Sequence, residues 1–146
     1  MPTAGKLAGA VVFAAIAWVV TELYARAIPP DQAFGDYRSI AAFIGLVCGW
    51  RIMGPQADRP LMVTLSAGLQ TSLMTVVFCL LALSIYQMVI KSLRMLYDGP
   101  VAAVVGIFEM AVEYGLVLIN GPVLLAIVLG GFIGGWISGI VGRNYP

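Results

Sequence analysis

Glu22 and Arg26 stand four residues apart in an otherwise apolar stretch, and Glu109 and Glu113 repeat that spacing further along the chain. Four residues make about one helical turn, so each pair shares a helix face. The first pair is of opposite charge, and an ion pair along the helix would neutralise both groups near the helix end. The second pair is of like charge, and its readings stay open. It is the wet side of a helix lying at a membrane surface, or a proton or cation pathway in which one carboxyl pushes the other towards neutrality. A metal on two carboxylates is a third reading, without the imidazole such sites usually recruit. Histidine is absent, which removes the usual general base as well as the commonest metal ligand. Seven carboxylates, two thiols and the tyrosines remain, so neither an enzyme nor a cofactor or metal site is expected. Arg51 and Arg59 are candidate contacts for an anion.

The elements that must position these groups are membrane helices. From Pro60 to Ile90 no side chain is charged, a run longer than the ~20 apolar residues that cross a bilayer. A soluble helix of that length would show charges at the 3.6-residue period, whereas this run offers only Thr, Ser, Gln and Tyr among Leu, Val, Met and Ala. Composition agrees, with 61% hydrophobic and 10% charged residues and a mean hydropathy of +0.98. Soluble chains average ~45 to 50% apolar and ~25% charged. A net charge of +1 leaves no basic surplus for phosphates, and nucleic acid is not a partner.

The predicted fold is all-α, an integral membrane helical bundle of one domain with four transmembrane helices and one amphipathic, partly embedded helix. The spans are 7–28, ended by Pro29-Pro30; 37–53, short and leaning on Trp50 and Arg51 at headgroup level; 61–90; and 122–142. Lys6 and Ala25-Arg26-Ala27 mimic a cleaved leader, but Glu22 and Arg26 crowd the mimicked site. Pro29 to Asp36 reads as a turn-rich loop. Asp98-Gly-Pro100 and Asn120-Gly-Pro122 bracket the amphipathic helix, 100–119. Its two carboxylates cost ~5 to 7 kcal/mol in a bilayer, about what its apolar residues return at ~0.3 to 0.6 each. Ala102, Gly106, Glu109, Glu113 and Asn120 fall on one side of its wheel, which favours an interfacial position.

The last span carries small residues in two registers: Gly130, Gly134, Ser138, and Gly131, Gly135, Gly139. Such faces let helix backbones approach, within the chain or between copies, and Gly45-x-x-x-Gly49 is the expected counterpart. The thiols of Cys48 and Cys79 read as small hydrophobes, and an antiparallel hairpin through Gly54 to Arg59 would separate them by ~20 Å in depth. Lys and Arg divide evenly between the two sides of a four-span topology, so charge does not orient the chain. The four-span reading and the free N-terminal amine together favour cytoplasmic termini as the expectation.

The opening Met-Pro-Thr-Ala-Gly-Lys-Leu, Phe34-Gly-Asp-Tyr37, Cys48-Gly-Trp-Arg-Ile-Met-Gly54, Tyr97-Asp-Gly-Pro100 and Glu113-Tyr-Gly-Leu116 together resemble the TrgA-like proteins, small membrane proteins of alphaproteobacteria. The resemblance runs along essentially the whole chain and implies a bacterial inner-membrane protein associated with tellurite resistance. It carries no catalytic or binding residues with it. Two functions stay open. One is a small transporter or accessory subunit for an oxyanion or proton-coupled process, with Arg51 or Arg59 touching the anion. The other is a non-transporting structural or assembly factor for a larger membrane complex. Beside the lipid bilayer, the partners expected are a homo-oligomer or such a complex.

Overall fold

The computed structural model describes residues 4–27, 36–95 and 98–145. Among them every regular element is helical: α1 Ala4–Ala27, α2 Tyr37–Cys48, α3 Leu61–Leu93, α4 Pro100–Leu118 and α5 Gly121–Asn144. α2 is prolonged by a π turn, Gly49–Met53, and a 3-10 turn, Gly54–Gln56. The bundle is all-α as expected, and its helices fall on the five segments read as helical in the sequence. The proline loop read over Pro29 to Asp36 lies outside the described residues up to position 35, as does Tyr97. Proline punctuates as its missing N–H requires: Pro60 caps α3, and Pro100 and Pro122 occupy the first turns of α4 and α5. α3 stops where Met95 turns left-handed, at φ 54°.

Four helices, α1, α3, α4 and α5, are long and apolar enough to cross a membrane. The chain is a multi-pass membrane protein. This set differs from the expected one, because α2 holds regular α geometry for only 12 residues while α4 meets the length and hydropathy that a span needs. α2 nevertheless accompanies α1 along most of its length. Arg38 reaches Glu22, Gly45 lies on the Phe13 carbonyl, Gly49 on the Gly9 carbonyl, and Ala57 under Gly5. The two therefore run antiparallel with their backbones in touch.

α5 runs antiparallel to both of its neighbours. Gly68 and Thr64 of α3 meet Gly135 and Gly139, and Ile16 and Phe13 of α1 meet Gly134. The ring of contacts is α1, α2, α3, α5, with α1 and α3 on opposite corners. Gly5 and Gly142 meet at one end, the foot, so the beginning of α1 and the end of α5 share a side. The other end, the head, is closed by a cluster of Tyr24, Tyr37, Met110, Tyr114, Val123 and Ile127.

α4 stands at that head end. Its Tyr114 carbonyl accepts a hydrogen bond from Tyr24. Met110 and Tyr114 pack by Leu80 and Leu83, while Ala102 and Gly106 lie by Lys91. α4 thus descends along the outer part of α3 and hands over to α5 at Asn120. Beyond Leu83, level with the end of α1, α3 continues to Leu93, about 15 Å further. The outer part of α3 and α4 form a two-helix fin on the bundle's head.

Candidate functional site

Charge is confined to the ends of the bundle. α1 is uncharged for about 24 Å between Lys6 and Glu22. Lys6, Arg51, Arg59 and Arg143 gather at the foot, with Asp58 as the acid among the described residues there. The candidate anion contacts Arg51 and Arg59 are therefore on one end, both exposed. Arg59 sits in the turn after the 3-10 segment, its N–H bonded to the Gln56 carbonyl at 3.1 Å.

At the head, Glu22 has two arginines. Arg38 Nη1 lies 3.0 Å from its Oε2, whereas Arg26 Nη2 is 3.8 Å from Oε1. The expected partner is thus the looser one. The reason is solvent: the Arg26 side chain is 74% exposed and the Arg38 side chain 44%, so Arg38, delivered across the helix pair by α2, holds the more sheltered position. Sequence spacing along one helix could not show this, because Arg38 lies beyond the intervening loop.

Glu109 and Glu113 are exposed on α4, beside an open groove that also takes in Lys91. They share the expected helix side with Ala102 and Asn120. Gly106, placed with them, is instead buried along with Met110 and Tyr114, the face that packs towards α3 and the head cluster. The other side of α4 is not wet either. Val101, Val105, Phe108, Val112, Leu116 and Ile119 form an exposed apolar stripe. α4 is apolar on two sides, with the carboxylates on a narrow strip between.

The small-residue faces of α5 are occupied within the chain. A Cβ on Gly131 would come within 3.0 Å of the Leu69 Cα, one on Gly135 would strike the Thr64 carbonyl oxygen, and one on Gly139 would press on the Thr64 side chain. Gly130 and Gly134 face Ile16 and Phe13 of α1. Ser138 is fully buried, and its hydroxyl has no partner among the described residues. Gly45 and Gly49 do not meet α5; they pack on Phe13, Ala17 and Gly9 of α1, because the hairpin that contains them folds back on α1 first.

The thiols are nearer than expected. Cys48 lies beside Thr75, one turn before Cys79 on α3, which brings the two thiols to neighbouring levels of the bundle. Ala57 crosses the foot to reach both Gly5 and Gly142, so the connection runs laterally. α3 therefore does not start as the mirror image of α2, and the in-register depth estimate fails.

Between the four bundle helices, below the head cluster, lies an internal cleft of about 60 Å³. Its walls include Ile16, Val20, Ile44, Val76 and Leu80, with Thr21, Tyr24, Tyr37, Ser72 and Thr75 as hydroxyls. Among the described residues no cluster of three His, Cys, Asp or Glu could hold a metal ion. Comparison with family models, with curated proteins and with solved structures returns no match.

Proposed function

We propose that this chain is a four-span, non-catalytic accessory subunit of the bacterial inner membrane that docks to a larger membrane complex through its fin. α1, α2 with its terminal turns, α3 and α5 cross the bilayer between the two charged ends, and α4 stays on the head side. The observation that carries this reading is the fin: about 15 Å of α3 beyond Leu83, together with α4, exposes Ile85, Val89, Phe108 and Val112 past the Glu22 and Arg38 level. Apolar surface of that extent beyond the hydrocarbon requires a cover. The bundle supports a docking rather than a conducting role, since its helices meet through glycine and its cleft is apolar. The quoted sequence strings, which resemble TrgA-like proteins, suggest the tellurite response as the setting.

Photo-crosslinkers at Phe108 and Val112 in native membranes are expected to trap a discrete partner that crosslinkers at the exposed Leu125 do not trap. The same protein alone in liposomes is expected to move neither tellurite nor protons. Solute flux through the purified chain would replace docking by transport.

A further inference from the structure

Lysine and arginine divide evenly between the two ends of the bundle, but carboxylates do not. At the head, Arg26, Arg38, Lys91 and Arg94 stand with Glu22, Asp36, Asp98, Glu109 and Glu113, so four cations meet five carboxylates among the described residues. At the foot, Lys6, Arg51, Arg59 and Arg143 stand with Asp58 alone, four cations against one and a surplus of three. Both ion pairs among the described residues, Glu22 with Arg38 and with Arg26, belong to the head. The cations of the foot are thus without a carboxylate partner among those residues.

They converge because three backbones converge. A Cβ on Gly5 would stand 2.8 Å from the Ala57 Cβ, and one on Gly142 would stand 2.7 Å from the same atom. Lys6 follows Gly5, Arg143 follows Gly142, and Arg59 comes two residues after Ala57, so three cations leave from the rim of one contact. The Lys6 stem lies on Gly54, whose own Cβ would come within 2.6 Å of the Lys6 Cγ, and this sets it beside the end of the π turn that holds Arg51. Arg143 donates its Nε hydrogen to the Gly139 carbonyl at 3.0 Å, which leaves the rest of its guanidinium fork for an acceptor outside the chain.

Depth selects that acceptor. Trp50 is half-buried next to Arg51, and Tyr145 is 68% exposed two residues past Arg143. Such rings sit at headgroup level in a bilayer. Cations at that level meet lipid phosphates, and a surplus of three favours lipids of net negative charge over zwitterions, whose phosphate carries its own ammonium.

We propose that the foot binds the headgroups of anionic phospholipids, with their phosphates on Lys6, Arg51, Arg59 and Arg143. The proposal rests on the bundle lying in a bilayer and not on the fin docking to a partner.

The test is tryptophan quenching by brominated acyl chains, in mixed vesicles of phosphatidylcholine and phosphatidylglycerol where one lipid or the other carries the bromine. The full chain with Trp18→Phe and Trp136→Phe keeps Trp50 as reporter of the foot. Trp50→Phe with Trp136→Phe keeps Trp18, four residues before Glu22, as reporter of the head half. Trp50 is expected to see phosphatidylglycerol preferred at least about fivefold, the weight of a single cation at an anionic surface. That preference should fall towards unity at about 1 M salt, and Trp18 should see none. Arg51→Gln with Arg59→Gln should at least halve the ratio at Trp50, and Asp58→Asn should raise it. Inorganic phosphate at constant ionic strength should leave it unchanged. The proposal is overturned by no preference at Trp50, an equal preference at Trp18, a ratio indifferent to either charge change, or one abolished by inorganic phosphate, which would make the foot a site for free anions.

Discussion

A methyl group at Gly135 tests the α3–α5 seam most directly. The Cβ of Gly135→Ala would overlap the Thr64 carbonyl oxygen and stand 3.2 Å from the Cα atoms of Gly68 and Leu65. All three are backbone, so no side chain can swing aside, and the helices must separate. Overpacking of this kind costs about 1 to 3 kcal/mol. Separation also stretches the Ser72 to Ile127 bond, now 2.9 Å, and an interhelical bond in a membrane protein contributes about 0.6 kcal/mol and up to about 1.7. Alanine's better helix propensity returns about 1 kcal/mol. The net loss is about 1 to 3 kcal/mol, measurable by denaturant unfolding in mixed micelles. Two controls isolate the cause. Gly130→Ala meets only the Ile16 side chain, with Cγ2 at 2.7 Å, and should cost less than Gly135→Ala. Gly115→Ala has nothing within 4 Å and should be neutral or stabilising. Equal unfolding of Gly135→Ala and wild type would show that the seam is not close-packed, and the reasoning would fail with it.

Arg38→Ala should destabilise by up to about 1 kcal/mol and Arg26→Ala by less, with the difference shrinking at high salt, because both pairs are partly exposed and Arg38 is the closer; the reverse order in unfolding experiments would refute the assignment. Ser72→Ala should cost about 0.6 to 1.7 kcal/mol through its interhelical bond, whereas Ser84→Ala, whose buried hydroxyl has no partner among the described residues, should cost nothing or stabilise. Met95→Gly should add about 1 kcal/mol by relieving a left-handed residue at the end of α3, and unchanged stability would count against that conformation. Cysteines placed on α4 should separate by face: labelling at Glu109 and Glu113, protection at Met110 and Tyr114, and, on the docking proposal, labelling at Phe108 in the purified chain but not in native membranes.

How much of this was legible in the sequence follows from the range of each interaction. Helix ends were, because proline lacks an N–H and announces itself locally: Pro60, Pro100 and Pro122 fall where α3, α4 and α5 begin. The small-residue faces of α5 were also visible, as a spacing along one helix. What each glycine faces was not, since Gly45 and Gly49 spell the same pattern and pack on α1. Partners across helices stayed hidden for the same reason. Glu22 advertises Arg26 four residues on, and its closer partner, Arg38, depends on how α2 is laid against α1. The thiols failed on geometry: a depth count presumes a straight hairpin, and the segment from Gly54 to Pro60 runs sideways under the foot.

α4 shows why composition and placement have to be separated. Its length and hydropathy qualify it as a span, yet both of its ends lie on the head side: Tyr114 at the end of α1 and Ala102 by Lys91. α4 touches the ring of α1, α2, α3 and α5 from outside, mainly through α3. The two carboxylates argue in the same direction, since at a bilayer centre they would cost about as much as the apolar residues return, while on the head side they stay wet beside Lys91. A helix apolar on two sides, held outside the ring and charged along one narrow strip, is the surface that the proposed docking role would use.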